Sequence, residues 1–323
     1  MKKNISVVIP VYNEGDNIEA IVRSVQEVTS NLPYECTITF IDDGSDDCTL
    51  EIIREQCHLN GNISFISLSK NFGHQNAIKA ALDYCTGDCV ITMDGDMQHP
   101  PELIPQLIEK WEAGNDIVYT VRKDCKELPS IKRKASMIFY HLLNYLSGIE
   151  IEDGTADFRL LDRKIVNILC NLEEDGLFWR GLVKWIGFRQ ASIEYSPELR
   201  KFGKSKYTFK KMVAFGLNGI TSFSTKPLTI AIYLGFACAL LSLLYIPYVF
   251  WSIYYGHAIS GWASLIVTIA FLGGLQLMIL GIIGIYLGKV FMQSKKRPHY
   301  IIKESALPHS EFKKRQGFEN INL

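Results

Sequence analysis

No Asp, Glu, Lys or Arg occurs between Lys226 and Lys289, a gap of 62 residues in a chain of 323. No acidic residue occurs anywhere from Leu199 to Lys303. Both absences exclude an ordinary solvated surface in the back half, although the whole chain is formally neutral with 34 basic and 34 acidic residues. Other absences exclude whole classes of function. No GxGxxG follows the first apolar run, so the dinucleotide-binding fingerprint is missing. Gly203-Lys204-Ser205 resembles the end of a P-loop, but Glu198 stands where the first glycine is needed. Lys2-Lys3 is followed only by a short apolar run broken at Pro10 and Asn13-Glu14, which is no signal peptide, so roughly the first 220 residues are expected in the cytoplasm. None of the eight cysteines forms a paired CxxC, and Cys85 and Cys89 are spaced CxxxC. Buried free thiols in a reducing compartment are expected, and zinc is not. With 48% hydrophobic residues, a disordered chain is excluded too.

What is present is unevenly distributed. Met1 to Asp157 holds 13 basic and 25 acidic residues, whereas Leu199 to Lys303 holds 12 basic and none acidic. Two such segments face different partners. No helix–groove or aromatic stacking motif accompanies the basic charge, so nucleic acid is not an expected partner and a lipid bilayer is. Two apolar runs, Leu228–Ile253 and Ala263–Leu287, each exceed the ~20 residues that span a bilayer. Lys and Arg crowd both outer flanks and are missing from the connection at Tyr254-Tyr255-Gly256-His257. The positive-inside rule therefore predicts a hairpin that leaves from the cytoplasm and returns to it. Trp251, Tyr254, Tyr255 and Trp262 gather at the far turn as an aromatic belt would. Before the first run, Phe209, Met212, Val213, Phe215 and Leu217 with Lys210 and Lys211 predict an amphipathic interfacial helix. The expected organisation is a cytoplasmic domain over 1–206, an interfacial helix over 207–225, two membrane helices within 226–290 (about 228–253 and 263–287), and a basic cytoplasmic tail over 291–323.

The first domain alternates strand and helix. Continuous β-branched runs predict strands at Ser6–Tyr12, Cys36–Asp42, Ile63–Leu68, Cys89–Met93 and Ile117–Val121. Helical spacing predicts helices at Asp16–Ser30, Cys48–Cys57, Gln75–Tyr84 and Pro101–Glu112. This alternation implies an α/β fold with a parallel sheet, whose ligands sit beyond the carboxyl ends of the strands. Those ends are polar: Asn13-Glu14, Asp42-Asp43-Gly44-Ser45, Lys70-Asn71-Phe72-Gly73-His74, and Asp94-Gly95-Asp96-Met97-Gln98. Any one cluster is ordinary turn chemistry. Four at the same end of successive strands form a site. Asp94 and Asp96, one residue apart after a buried strand, can face one hard cation, and Gln98 can add a carbonyl oxygen.

Pro10-Val-Tyr-Asn-Glu14, Asp42-Asp-Gly-Ser45, Asp94-Gly-Asp96 with Gln98-His-Pro-Pro101, and the predicted hairpin together resemble the family-2 glycosyltransferases of GT-A fold, in particular the polyprenyl-phosphate branch. The resemblance runs over about residues 5–300. It implies a Rossmann-like nucleotide-sugar sheet (GT-A) followed by a two-helix transmembrane hairpin, with a UDP-sugar donor and undecaprenyl phosphate as acceptor. It assigns Pro10, Tyr12, Asn13, Glu14, Asp42, Asp43, Lys70 and Asp94 to the nucleotide-sugar. It assigns Asp94, Asp96 and Gln98 to Mg²⁺ or Mn²⁺ bridging the diphosphate. Arg122 matches a phosphate-contacting position. Asp157, in Ala156-Asp157-Phe158-Arg159-Leu160, matches a carboxylate proposed as catalytic base. The acceptor phosphate is already anionic near neutral pH, however, so Asp157 is equally read as positioning sugar hydroxyls or arranging Arg159. In relatives the segment matching Arg200–Lys206 closes over the site. Arg200 and Lys206 are therefore expected at the acceptor phosphate, joined by Arg133. Asp96, Asp157, Arg122 and Arg200 make up the expected catalytic set.

The expected activity is inverting transfer of a sugar, glucose first and N-acetylglucosamine next, onto undecaprenyl phosphate at the cytoplasmic face of a bacterial membrane. Mannose or aminoarabinose donors are further alternatives within the same reaction. A processive polysaccharide synthase is less favoured, because Phe178-Trp179-Arg180 lacks the QxxRW order. A non-catalytic binder is disfavoured by the intact acidic pair. Relatives assemble through their membrane helices, so a homo-oligomer is a further implied partner.

Overall fold

The computed structural model describes residues 3–123, 144–148, 152, 154–174, 176–196, 219–255 and 261–307. Arg133, Arg200, Lys206 and the segment 207–218 lie outside them. The chain divides into two units. One comprises Met1–Leu142, Ile149–Met212 and Pro298–Leu323; the other comprises Leu143–Gly148 and Val213–Arg297.

The first unit is built on one sheet. Its elements are β1 (Asn4–Val11), α1 (Gly15–Thr29), β2 (Glu35–Asp42), α2 (Thr49–Leu59), β3 (Ile63–Leu68), α3 (His74–Tyr84), β4 (Cys89–Thr92), α4 (Ile104–Glu112) and β5 (Ile117–Arg122). They continue with β6 (Thr155–Asp162), α5 (Arg163–Cys170), α6 (Trp179–Trp185), β7 (Gln190–Tyr195) and, after the second unit, β8 (Ile302–Ala306). α1 packs against α2 and α4, and α3 against α5. From Ile5 to Val11, β1 is therefore buried on both faces, which is why it reads as an unbroken apolar run. In α1 the buried Ile18, Ile21, Val22 and Val25 follow the helical period, with Asp16 favourably placed in the first turn. Cys85 and Cys89 are buried, and the cysteines among the described residues are free thiols.

The sheet order is β7-β5-β6-β4-β1-β2-β3-β8. β3, β2, β1 and β4 are mutually parallel, and β7 is parallel to β5. The parallel sheet expected from the sequence holds for the five strands named there, and two further strands run against them. β6 lies antiparallel between β4 and β5, and β8 runs antiparallel along the outer edge of β3. An antiparallel strand brings its first residues to the edge where parallel strands present their last. Asp157 and Lys303, near the starts of β6 and β8, thus join the carboxyl ends of the other strands.

β8 also revises the tail expected over 291–323. Ser69 N–H donates to Ile301 O at 2.8 Å, Arg54 pairs with Glu304, and Tyr300 Oη–H donates to Asp83 Oδ2 at 2.8 Å. Asp83 also receives Lys79 Nζ, from the buried face of α3, at 2.8 Å.

The second unit carries α7 (Lys226–Tyr254, 29 residues) and α8 (Trp262–Ser294, 33 residues). At 1.5 Å per residue they are about 44 and 50 Å long. Among the described residues, Ser264–Ser294 is the helix long and apolar enough to cross a bilayer, and the apolar part of α7 described, Lys226–Leu240, is shorter. Ile232, Phe236, Leu265, Leu277 and Val290 are exposed. Tyr286 Oη–H donates to Ser224 O at 2.7 Å and Lys289 Nζ to Ser222 Oγ at 3.0 Å, which puts the last turns of α8 beside the start of α7.

If 302–306 is a paired strand, the ladder amides of that segment are protected in hydrogen exchange like those of β3, whereas a free tail exchanges at once. Tyr300→Phe, which removes one hydrogen bond to a charged group, lowers stability by about 1.5–3 kcal/mol in thermal unfolding of the full chain.

Candidate active site

The carboxyl ends of β1, β2 and β3 enclose a cavity of about 270 Å³, near the lower end of the roughly 300–1,000 Å³ of small-molecule pockets. Tyr12, Asp42, Ser45, Ser67, Lys70 and Lys303 line it. Asp42 is buried, accepting Ser45 N–H at 3.0 Å on Oδ1 and Ser67 Oγ–H at 2.8 Å on Oδ2. Asp43 accepts the amides of Phe72 at 2.7 Å and Gly73 at 2.9 Å. Burial pushes the Asp43 carboxyl above its usual range, and those two amides pull it back only in part. Between β2 and β3, Gly44 sits at φ +70°, where a Cβ would lie 2.5 Å from the Lys70 carbonyl carbon, so only glycine fits. Asn13 takes the left-handed conformation (φ 53°). Its amide donates to Ser45 Oγ at 3.0 Å and its side-chain oxygen accepts Asp46 N–H at 2.9 Å. Glu14 N–H donates to Thr49 Oγ1 at 3.0 Å, and Glu14 Oε2 accepts Asn17 Nδ2 at 2.7 Å. Pro10 is buried within β1.

After β4 the chain turns through Asp94-Gly95-Asp96. A Cβ on Gly95 would lie 2.6 Å from Val11 Cγ1, so this glycine lets the turn press against β1. Asp94 N–H donates to His99 Nδ1 at 3.0 Å, which leaves the ring proton of a neutral His99 on Nε2, 3.6 Å from Asp94 Oδ2. His99 is buried, stacked on Phe158 at 5.2 Å and edge-on to Tyr195 at 6.1 Å. Asp96 Oδ1 accepts Gln98 N–H at 3.1 Å, with Met97 between them at φ 60°. Among the described residues no group of three His, Cys, Asp or Glu side chains could hold a metal ion. The donor set is instead two carboxylates beside a Gln, a hard-oxygen set that fits a cation sharing its shell with substrate phosphates and water.

His74, first residue of α3, joins this turn to Asp157. Its Nε2 lies 3.4 Å from Asp94 Oδ1 and 3.9 Å from Asp157 Oδ2. Asp157 is buried in β6. Arg159 Nη2 pairs with Oδ1, and Arg180 reaches Oδ2 through Nη2 at 3.0 Å and Oδ1 through Nε at 3.4 Å. Burial favours the protonated acid, but Arg180 and Arg159, helped by His74, outweigh it and hold the carboxyl well below the usual carboxylate range. With the folded value lowered, its contribution to stability is complete above the unfolded value near ~3.9 and is lost only as pH falls below it.

Tyr12, Asn13, Glu14, Asp42, Asp43, Lys70, Asp94, Asp96, Gln98 and Asp157 thus come together at one edge of the sheet. Arg122 ends β5 at the same edge, opposite Tyr195 in register, and is exposed. Burial and the nearby Asp94 and Asp96, opposed by Arg122, push the Tyr195 hydroxyl up to about 12. Sequence reasoning missed His99, Arg180, Tyr195 and Lys303 as site residues, and marked His74 only as part of a polar strand-end cluster. Their signal was position: the two histidines sit inside clusters already marked by Asn, Asp and Gly, and Arg180 follows two large aromatic residues.

Residues 6–169 match the model described as Glycosyl transferase family 2; the chain belongs to that family and is a glycosyltransferase. It is 41% identical over 300 residues to the bactoprenol glucosyl transferase of Shigella phage SfX, covering 93% of this chain and 98% of that one. A prophage bactoprenol glucosyl transferase homolog of Escherichia coli (strain K12) is 40% identical over 300 residues, with the same coverage. The solved glucosyl-3-phosphoglycerate synthase of Mycobacterium tuberculosis is a distant likeness, with TM-score 0.46 and 17% identity over 68% of this chain and 77% of that one.

Gly95→Ala tests the turn. Its Cβ must displace Val11 or the acidic pair, so stability falls by about 1–3 kcal/mol and transferase activity falls further than unfolding accounts for. Thermal unfolding and initial rates of the same preparation check both.

Proposed function

We propose that the chain transfers glucose from UDP-glucose to undecaprenyl phosphate at the cytoplasmic face of a bacterial membrane, making a lipid-linked donor for cell-envelope glycans. The observation that carries this reading is near-full-length identity to proteins named bactoprenol glucosyl transferase. In the reaction a phosphate oxygen of the lipid attacks the anomeric carbon, forming a C–O bond. The bond from that carbon to the UDP oxygen breaks, and its electron pair leaves on UDP. The attacking phosphate is already an anion, so no proton need move first. One displacement inverts the anomeric centre.

The nucleoside lies in the cavity beside Tyr12 and Asp42, with Lys70 and Lys303 supplying donors from its lining and Asn13, Glu14 and Asp43 at the same strand ends just outside it. Asp94, Asp96 and Gln98 would hold Mg²⁺ or Mn²⁺, which would supply neutralisation of charge on the departing diphosphate. Arg122 stands at the same edge for phosphate. Arg133, Arg200 and Lys206 belong to the acceptor side of the proposal, together with the interfacial segment 207–225. α7 and α8 form the membrane hairpin, supported by their exposed apolar side chains and the basic residues outside both ends. Both termini are then cytoplasmic.

A panel of radiolabelled UDP-sugars, incubated with membranes and undecaprenyl phosphate, tests donor and acceptor together. Label enters lipid from UDP-glucose, EDTA stops it, and Asp96→Ala lowers it about 100-fold, or about 2.7 kcal/mol. Transfer from another UDP-sugar replaces glucose, and no transfer into lipid rejects the acceptor. Cysteines introduced at 257–260 label only from the far side of the membrane, and those at 200 and 300 only from the cytoplasm. Labelling of 200 and 300 on opposite sides means one crossing.

A further inference from the structure

We propose that Arg180 is a phosphate-contacting residue of the transfer site and that Asp157 acts through it, as a positioning residue and not as a proton acceptor. This rests on the phosphate-transfer reading of the site given above.

Two arginines share the Asp157 carboxylate, and they are not equivalent. The Arg159 side chain is 3% exposed and also donates to Ala156 O at 3.2 Å and Trp179 O at 3.4 Å. It is a buried strut that fixes the carboxylate from below. The Arg180 side chain is 28% exposed and grips the carboxylate with Nε and Nη2 as a fork. The grip sets the plane and direction of a guanidinium whose edge reaches solvent. Asp157 and Asp94 both lie within 4 Å of His74 Nε2, so the carboxylate that Arg180 grips sits one imidazole away from Asp94.

A guanidinium is suited to phosphate, because its planar fork matches two phosphate oxygens.

The mounting is stiff. The Trp179 backbone N–H donates to Gln75 Oε1 at 3.1 Å, and its indole N–H to Gln75 O at 2.8 Å. Gln75 follows His74 in α3, so the residue before Arg180 is fastened to the residue after His74. A carboxylate meant to collect a proton needs a free lone pair facing substrate and a proton affinity near the working pH. Asp157 has neither arrangement: three guanidinium contacts engage its two oxygens.

Full-length protein in detergent, with UDP-glucose and undecaprenyl phosphate, carries the test. Arg180→Ala lowers kcat/KM about 100-fold in protein that remains folded at the assay temperature, and added guanidinium ion restores part of the loss. Arg180→Lys, which keeps the charge and loses the fork, stays about tenfold low and serves if the alanine variant folds poorly. Calorimetry with UDP and Mn²⁺ identifies the phosphate. Weaker UDP binding assigns Arg180 to the donor diphosphate; unchanged UDP binding with a raised KM for lipid phosphate assigns it to the acceptor. Asp157→Ala adds little in the Arg180→Ala background, because both changes remove one device. Kinetic constants and UDP affinity within twofold of wild type for Arg180→Ala overturn the proposal, as do losses from the two changes that simply multiply. Should the wild type fail to transfer to lipid, the acceptor reading falls separately, and the UDP measurement alone decides Arg180.

Discussion

The clasp of Asp157 between Arg159 and Arg180 holds the reactive end of the sheet in register. It spans β6 and α6, and through His74 and the Gln75–Trp179 bonds it reaches α3 and the turn after β4. Breaking one partner of a buried pair leaves an uncompensated charge, which costs far more than a surface pair contributes. β6, α6, α3 and the turn after β4 are therefore tied to one another at this end of the sheet.

That arrangement depends on topology more than on any single contact. Parallel strands deliver Asn13, Asp42, Lys70 and Asp94 to one edge because they all end there. The two antiparallel strands deliver Asp157 and Lys303 to the same edge because they begin there. Acidic side chains so concentrated need local relief. Amides of Phe72 and Gly73 supply it at Asp43, Ser45 and Ser67 supply it at Asp42, and guanidinium groups supply it at Asp157. Left-handed backbone at Asn13 and Met97, both in site loops, is the strain that accompanies so tight a convergence.

β1 to β5 were legible because strands buried on both faces are written as continuous β-branched runs, and the residues closing them announced most of the site. β6 was not legible as a strand: Thr155–Asp162 mixes two acids and an arginine into the apolar run, and two of these, Asp157 and Arg159, are buried by pairing with each other. β8 was illegible for a different reason. Ile302–Ala306 is an edge strand carrying Lys303 and Glu304, the composition that edge strands use and that a basic tail also has. Strand direction has no signature in periodicity: β1 to β5 run in one direction as expected, and the antiparallel β6 and β8 were not foreseen. Arg180 escaped notice because its partner lies 23 positions away in sequence.

If an anionic acceptor displaces UDP in one step, no carboxylate of the protein bonds to the sugar and the anomeric centre inverts. The anomeric configuration of the purified lipid-linked product, read from its C1–H1 coupling by NMR, tests this most directly. An α-configured UDP-glucose donor must give a β-linked glucosyl phosphate. An α-linked product would contradict a single back-side displacement and would call instead for front-face attack or for a covalent sugar–enzyme intermediate.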